Sequence, residues 1–281
     1  MQSIKSFHFD GLLKNEKFED ENGDLVRTIS YYNDGLTKSS ESFFKDGKLH
    51  SYDNNPAVIS YHKNGAIQTK NYYEKDKIHF PGDVDSPAVI GYFDNGKVEY
   101  EYYYQNDKQH RNGDYPATIA YFNNITSSIN FVGFYKDGKK HRDDDKPAMI
   151  ISYEDGSLHI ESYYKDGNHH RDSDNPAIII YHENGSLNCK KFYNNGKLHR
   201  NDPGIDKPAV TIYSSNSSII YEYFCADGKI HRDNDKPALI IYYENGIINV
   251  EKFYKDGELY RANNKPVFVT YHTDGTLESE Q

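Results

Sequence analysis

A proline recurs at positions 56, 87, 116, 147, 176, 208, 237 and 266, followed by alanine every time except the last, where Val267 stands. The intervals are 31, 29, 31, 29, 32, 29 and 29 residues. A period of this size, kept from end to end, confines the chain to a repeat architecture, in which each unit buries its apolar face against copies of itself. The one or two globular domains expected of 281 residues do not apply.

Within the period the punctuation is regular. In the repeat that begins at Pro176, Asn184-Gly185 follows after eight residues and Asn195-Gly196 eleven residues later. Equivalent pairs stand at Asn64-Gly65, Asn95-Gly96, Asp155-Gly156 and Asn245-Gly246, and again at Asp46-Gly47, Asp137-Gly138, Asp166-Gly167, Asp227-Gly228 and Asp256-Gly257. Asn-Gly and Asp-Gly between apolar runs predict tight hairpins of type I′, which need positive φ at both central residues. The first run, Ala177-Ile178-Ile179-Ile180-Tyr181, is continuously apolar. The second alternates, with Leu158, Ile160 and Tyr164 on one parity. No 3.6-residue period appears. The fold class this predicts is all-β: an elongated single-sheet array of antiparallel β-hairpins, about nine units of about 29 residues.

Units start near residues 26, 56, 87, 116, 147, 176, 208, 237 and 266, so residues 26–281 read as the array. Residues 1–25, with Asp10-Gly11 and Asn22-Gly23, read as a degenerate N-terminal capping hairpin. The long intervals place their extra residues around Pro81-Gly82, at Asn123–Ser127 and around Pro203-Gly204, all in turns or loops where length costs little.

Composition supports strands and narrows the partners. There are 27 Tyr and 14 Phe but no Trp, and aromatic and β-branched residues favour sheets. The net charge of −10 disfavours nucleic acid and anionic membrane surfaces. Cys189 and Cys225 occupy different repeat positions and form no metal-spaced pair, which suits reduced thiols. No stretch reads as a signal peptide or a bilayer span. The expected location is intracellular and cytoplasmic, in the host cytoplasm or virion if the chain is viral.

A second recurrent element is a His-Arg-Asp box after the second turn: His141-Arg142, His170-Arg171, His199-Arg200 and His231-Arg232, with Asp145, Asp174, Asp206 and Asp235 two residues before each proline. Such Asp residues suit Asx-turns, and Arg can pair with Asp of its own or the next box. The His forms a rung at each repeat. Read functionally, the His-Arg pairs could form an anion-binding ladder, which the neighbouring Asp charges oppose. Closely spaced carboxylates such as Asp143-Asp144-Asp145 lack the turn Gly and distal Glu of a calcium loop. No metal or cofactor is expected.

The third recurrent element is an aromatic pair ending the second strand. Adjacent strand residues face opposite sides, so one of each pair belongs to the core and one to a surface row. The candidate binding row comprises Tyr73, Tyr103, Tyr163, Phe192, Tyr223 and Phe253. Phosphate loops, nucleophile elbows and His-Glu-x-x-His are absent from the sequence, and no repeat breaks symmetry with clustered titratable groups, so no catalytic residue is assigned.

The run Tyr163-Tyr164-Lys165-Asp166-Gly167, through His170-Arg171 and Asn175-Pro176-Ala177 to Tyr181 and Asn184-Gly185, resembles variant MORN-type repeats. Such arrays are abundant in giant DNA viruses and also occur in bacteria. The likeness extends over residues 26–281. It implies an elongated hairpin array acting as an interaction scaffold. The expected function is therefore a non-enzymatic scaffold binding a protein partner along an aromatic-rich β surface, with self-association as a further option. The alternative is a carbohydrate- or small-anion-binding module using the Tyr row or the His-Arg ladder.

Overall fold

The computed structural model describes residues 2–80, 85–200 and 206–281. The insertion loops around Pro81-Gly82 and Pro203-Gly204 lie outside the described residues. The chain divides into two compact units, residues 1–139 and 140–281. Each is an antiparallel meander whose longer strands pair in sequence order, while two-residue strands form small hairpins between them. In the first unit it runs from Gln2–Phe7 through Leu13–Glu19 to Ile129–Gly133. In the second it runs from Met149–Ser152 to Leu277–Glu280. There is no α-helix among the described residues, only a short 3₁₀ turn at Ala262–Asn264. The expected antiparallel hairpin array is what the chain forms.

The repeat beginning at Pro176 shows why. Ile178–Tyr181 and Leu187–Lys191 form the main hairpin, and Tyr193–Asn194 with Lys197–Leu198 form a smaller one. The expected long second strand is divided at Phe192. That residue donates its N–H to the Ala209 carbonyl at 2.8 Å and accepts from His199 N at 3.0 Å. One side of its peptide thus serves the sheet and the other the small hairpin. Ala209 donates in turn to the Tyr223 carbonyl at 2.7 Å. The alanines after proline, including Ala177, Ala209 and Ala238, are all 0% exposed. Proline sets the entry into the strand, and the alanine that follows it is completely covered by its neighbours.

The two glycine turns differ from each other. In the second turn Asn195 and Gly196 have φ of 46° and 82°, as type I′ requires. In the first turn only Gly185 is left-handed, at φ 79°. Gly185 N donates to His182 O and His182 N to Ser186 O, both below 3 Å, and the register shifts between Ile180 and Tyr181. This is a type I turn closed by a glycine bulge. The Asn184 side chain explains the choice: its Oδ1 accepts the Ser186 N–H at 2.9 Å and holds Asn184 itself out of the left-handed region.

Alternate residues reach opposite faces of each sheet. In the second unit one face carries Ile151, Ile160, Ile180, Cys189, Ile212 and Tyr221 in register, and Met149, Ser162, Ile178 and Lys191 beside them. The other carries Glu161, Ile179, Lys190, Thr211, Glu222 and Ile240. Each sheet is a single layer whose faces depend on side chains from the boxes and small hairpins for cover.

Nothing lies within 4 Å of a Cβ placed on Gly185, so Gly185→Val tests backbone conformation alone. It is expected to cost about 2–3 kcal/mol, whereas Lys190→Ala should stay within about 0.5 kcal/mol. Equal shifts of the two denaturation midpoints would contradict the turn assignment.

Candidate functional site

The His-Arg-Asp boxes bring together more chemistry than any other part of the fold. Arg171 donates from Nε and Nη2 to the two oxygens of Asp145 at 2.8 and 2.9 Å. Its Nη1 reaches the Pro176 carbonyl at 3.4 Å, and its guanidinium carbon lies 3.7 Å from the Tyr163 ring centre. Arg200 repeats the set with Asp174, the Pro208 carbonyl and Phe192, and Arg232 with Asp206, the Pro237 carbonyl and Phe224. Arg142 donates to the Pro147 carbonyl at 3.1 Å. Each ion pair runs to the preceding box, not to the same or the next one. Asp174, the own-box candidate for Arg171, is carried forward to Arg200.

Charge in these boxes is matched. Burial opposes the Arg171 charge, but its bonds to Asp145 and the nearby Tyr163 and Glu161 hold its pKa above the ordinary arginine value. Arg200, with Lys207, lowers the Asp174 pKa to about 2, and Arg232 with Lys236 does the same for Asp206. On the same face Tyr181 donates to Glu161 at 3.1 Å, and Tyr242 to Glu222 at 2.7 Å. Burial first, then the carboxylate, raises the Tyr181 pKa to about 12.

The histidines form the expected rungs. Nδ1 of His141, His170, His199 and His231 accepts the backbone N–H of Asp166, Asn195, Asp227 and Asp256 respectively, at 3.0–3.2 Å. Nε2 of His141, His170 and His231 meets Asp143, Asp172 and Asp233 at 2.9–3.1 Å. With Nδ1 as acceptor, the proton sits on Nε2. Between successive boxes lie crevices of about 170 Å³ (His141, Arg171 and Asp172 among the lining) and about 270 Å³ (Asp174, His199 and Arg200). Among the described residues no cluster of three or more His, Cys, Asp or Glu is arranged to hold a metal.

The aromatic candidates separate into two sets. Tyr103, Tyr163, Phe192 and Phe253 are buried beneath Arg111, Arg171, Arg200 and Arg261. In their own repeats the same position belongs to Tyr72 and Phe224, also buried. Tyr73 comes one residue later and Tyr223 one residue earlier, and both are half-buried. Counting four residues back from the second residue of the second turn finds every buried ring, from Phe224 before Gly228 to Tyr72 before Asp76. Adjacency of two aromatics does not. That count separates the core row from the surface row of Tyr73, Tyr104, Tyr135, Tyr164, Tyr193 and Tyr254.

The geometry defines a β-hairpin repeat scaffold. A family model described as the MORN repeat variant matches residues 88–106 and 239–256, each running from the first strand to the second turn of its unit. The two matches support reading the hairpin repeats of this chain as MORN-type repeats. The search of curated proteins finds no match. Among solved structures the chain is similar to the TcdB2-TccC3-Cdc42 crystal structure at 10% identity and a TM-score of 0.20, covering 98% of this chain and 13% of that one. It is also similar to the Photorhabdus luminescens Tc holotoxin pore at 12% identity and a TM-score of 0.18, covering 99% and 14%. Likeness of this degree carries no argument here.

Two outcomes follow from the boxes. Arg200→Ala removes a bidentate pair, a ring stack and a carbonyl bond, and should cost about 2–3 kcal/mol after allowance for solvent screening. Arg200→Lys should recover less than half of that, because a lysine cannot make the fork; full recovery in denaturant unfolding would contradict the fork. The second outcome concerns pH. Asp in an unfolded chain titrates near 3.9, so native values of about 2 at Asp174 and Asp206 favour the ionised form in the fold. That contribution is complete above about pH 4 and is lost as pH falls through about 2. Unfolding free energy should decline across this window, and Asp206→Asn should flatten the decline.

Proposed function

We propose that the protein is a non-enzymatic scaffold that binds a protein partner over the aromatic face of residues 73–135. The observation that supports this is the tyrosine layer there. Tyr100 and Tyr102 stack with ring centres 4.7 Å apart. The Tyr100 ring lies flat over Gly91, where a Cβ would meet it at 2.3 Å, and Phe131 and Tyr135 crowd Gly133 in the same way. Glycine at these two positions lets aromatic rings lie on the sheet.

Burial raises the pKa of Tyr73, Tyr100, Tyr102, Tyr104 and Tyr135 above the usual value for tyrosine. Among the described residues the hydroxyls of Tyr100, Tyr102, Tyr104 and Tyr135 make no hydrogen bond within the chain. Half-buried rings with free hydroxyls combine apolar area, low entropy cost and polar tips, the properties that enrich Tyr at protein interfaces. The His-Arg boxes are less suited to an anionic ligand, because their Asp partners already neutralise them.

The test is quantitative affinity capture from native cells with wild-type protein and the Tyr102→Ala/Tyr104→Ala double variant. One stoichiometric protein should be captured by the wild type and fall roughly 30-fold or more with the variant, as for interface hot spots. Circular dichroism should show the fold retained. Undiminished capture by the folded variant, or binding to glycans and to no protein, would overturn the reading.

A further inference from the structure

The hairpin position just before each His-Arg box is apolar in most repeats: Leu49, Ile78, Leu198, Ile230 and Leu259. Three consecutive repeats break that rule with Gln109, Lys140 and His169, and of these Gln109 is satisfied within the chain by the Thr118 hydroxyl at 3.1 Å. Beside the last two, Lys191 stands on the sheet where the preceding repeat has Ser162. Lys140, His169 and Lys191 converge on one face of the second unit. The Lys140 ammonium lies 5.0 Å from the Tyr164 ring centre and 3.7 Å from the Met149 sulfur, and Met149 pairs with Ser162 across the ladder. Ser162 pairs with Ile178, and Ile178 with Lys191. His169 meets the Tyr164 hydroxyl through Nε2 at 3.0 Å, and its ring lies between those of Tyr164 and Tyr193.

The polar groups of this cluster are incomplete. The Ser162 hydroxyl, on a residue only 1% exposed, has no hydrogen-bond partner, nor does the buried Nδ1 of His169. Among the described residues neither Lys140 nor Lys191 has a carboxylate partner, and both are half-buried. Burial, followed by Lys140 and Lys191, lowers the His169 pKa below the ordinary value. The two lysines therefore impose a positive field without a matching carboxylate on a half-buried imidazole in a chain whose net charge is −10. Buried polar atoms without partners indicate a missing water or ion, and unpaired half-buried cations indicate that the missing group is an anion.

We propose that Lys140, His169 and Lys191, with the Tyr164 hydroxyl, bind a small oxyanion. Two ammonium groups without carboxylate partners among the described residues match a dianion of phosphate or sulfate type. With His169 Nε2 donating to its oxygen at 3.0 Å, the Tyr164 hydroxyl adds a directional bond beside the charges. The rings of Tyr164 and Tyr193 and the Met149 and Ile178 side chains form a low-dielectric wall that strengthens them. The site is independent of the protein-binding reading, which concerns the other unit.

The experiment uses the full chain and sulfate, whose charge is constant through the His169 titration. The His169 ring resonances are followed by NMR, with chloride at matched ionic strength as the reference. Sulfate should shift His169 saturably and raise its pKa. Lys140→Met and Lys191→Met should each weaken the sulfate response roughly tenfold or more, the loss expected for one charged hydrogen bond. Lys252→Met, at the position equivalent to Lys191 in the repeat from Pro237, should leave it unchanged. A linear response matched by chloride would overturn the proposal, as would folded Lys140→Met and Lys191→Met variants that bind sulfate like the wild type. Inorganic phosphate, titrated next, should compete with sulfate at the same resonances; failure to do so would overturn the phosphate-type dianion assignment.

Discussion

A guanidinium lying flat on a buried ring ties each repeat to the one before. In Arg171, Arg200 and Arg232 one planar group is sandwiched against an aromatic of its own unit, forks onto the Asp of the preceding box and bonds the carbonyl of the proline that opens the next strand. Individually these contacts are modest, since the carboxylates are partly exposed to solvent. Joined through one rigid side chain they share a single loss of conformational freedom. They also fix three neighbours at once: the ring, the previous loop and the next strand entry. The proline carbonyl that accepts the arginine's bond immediately precedes the buried alanine, so the arginine holds the strand entry in place.

That tie accounts for how a single-layer sheet with two exposed faces can be stable. A conventional sheet packs against a second layer. Here the cover is supplied locally. The box closes one face at the buried ring, the small hairpin leans over the other, and both are held in register along the array. Gly167 N donates to the Lys140 carbonyl and Gly196 N to the His169 carbonyl, while the adjacent Asp166 and Asn195 N–H groups go to His141 and His170. At the first turn Tyr153 donates to the Tyr181 carbonyl and Tyr243 to that of Tyr271. Each link joins one repeat to its neighbour through the same pair of positions, so stability is a sum over nearest neighbours.

The periodic part of this design was legible because it rests on residues with narrow conformational ranges. Proline, the turn glycines and the Asp before proline each have few ways to be accommodated, and their spacing located the strands and the hairpin turns. Less legible was what depends on side-chain direction. The Arg-Asp pair runs to the preceding box because the loop from Arg171 to Pro176 carries Asp174 away from it, and loop path does not appear in spacing. The buried and exposed aromatics were hard to separate by adjacency because the second strand breaks at the buried ring, which resets the alternation. The first turn was read as type I′ from Asn-Gly alone, and the Asn184 side-chain bond that selects a bulged type I turn is a local interaction that residue identity does not decide.

In an array whose units repeat one solution, a structural residue should recur and a residue serving something else need not. His, Arg and Asp recur in nearly every box, and in the boxes from His141 to Arg232 their bonds to one another account for their presence. Lys140 and His169 replace apolar residues, and together with Lys191 they form a cationic cluster in which the Ser162 hydroxyl and His169 Nδ1 have no partner among the described residues. Replacing Leu by Lys at such a position gains no packing and adds a desolvation cost, so the hairpin would be more stable without it. Where Gln109 at this position bonds the Thr118 hydroxyl, Lys140 and His169 with Lys191 have no carboxylate among the described residues to match them, and an external anion would complete the arrangement. The tyrosines over Gly91 and Gly133 follow the same logic in a weaker form, because their rings gain apolar burial on the sheet while their hydroxyls are left to an external partner.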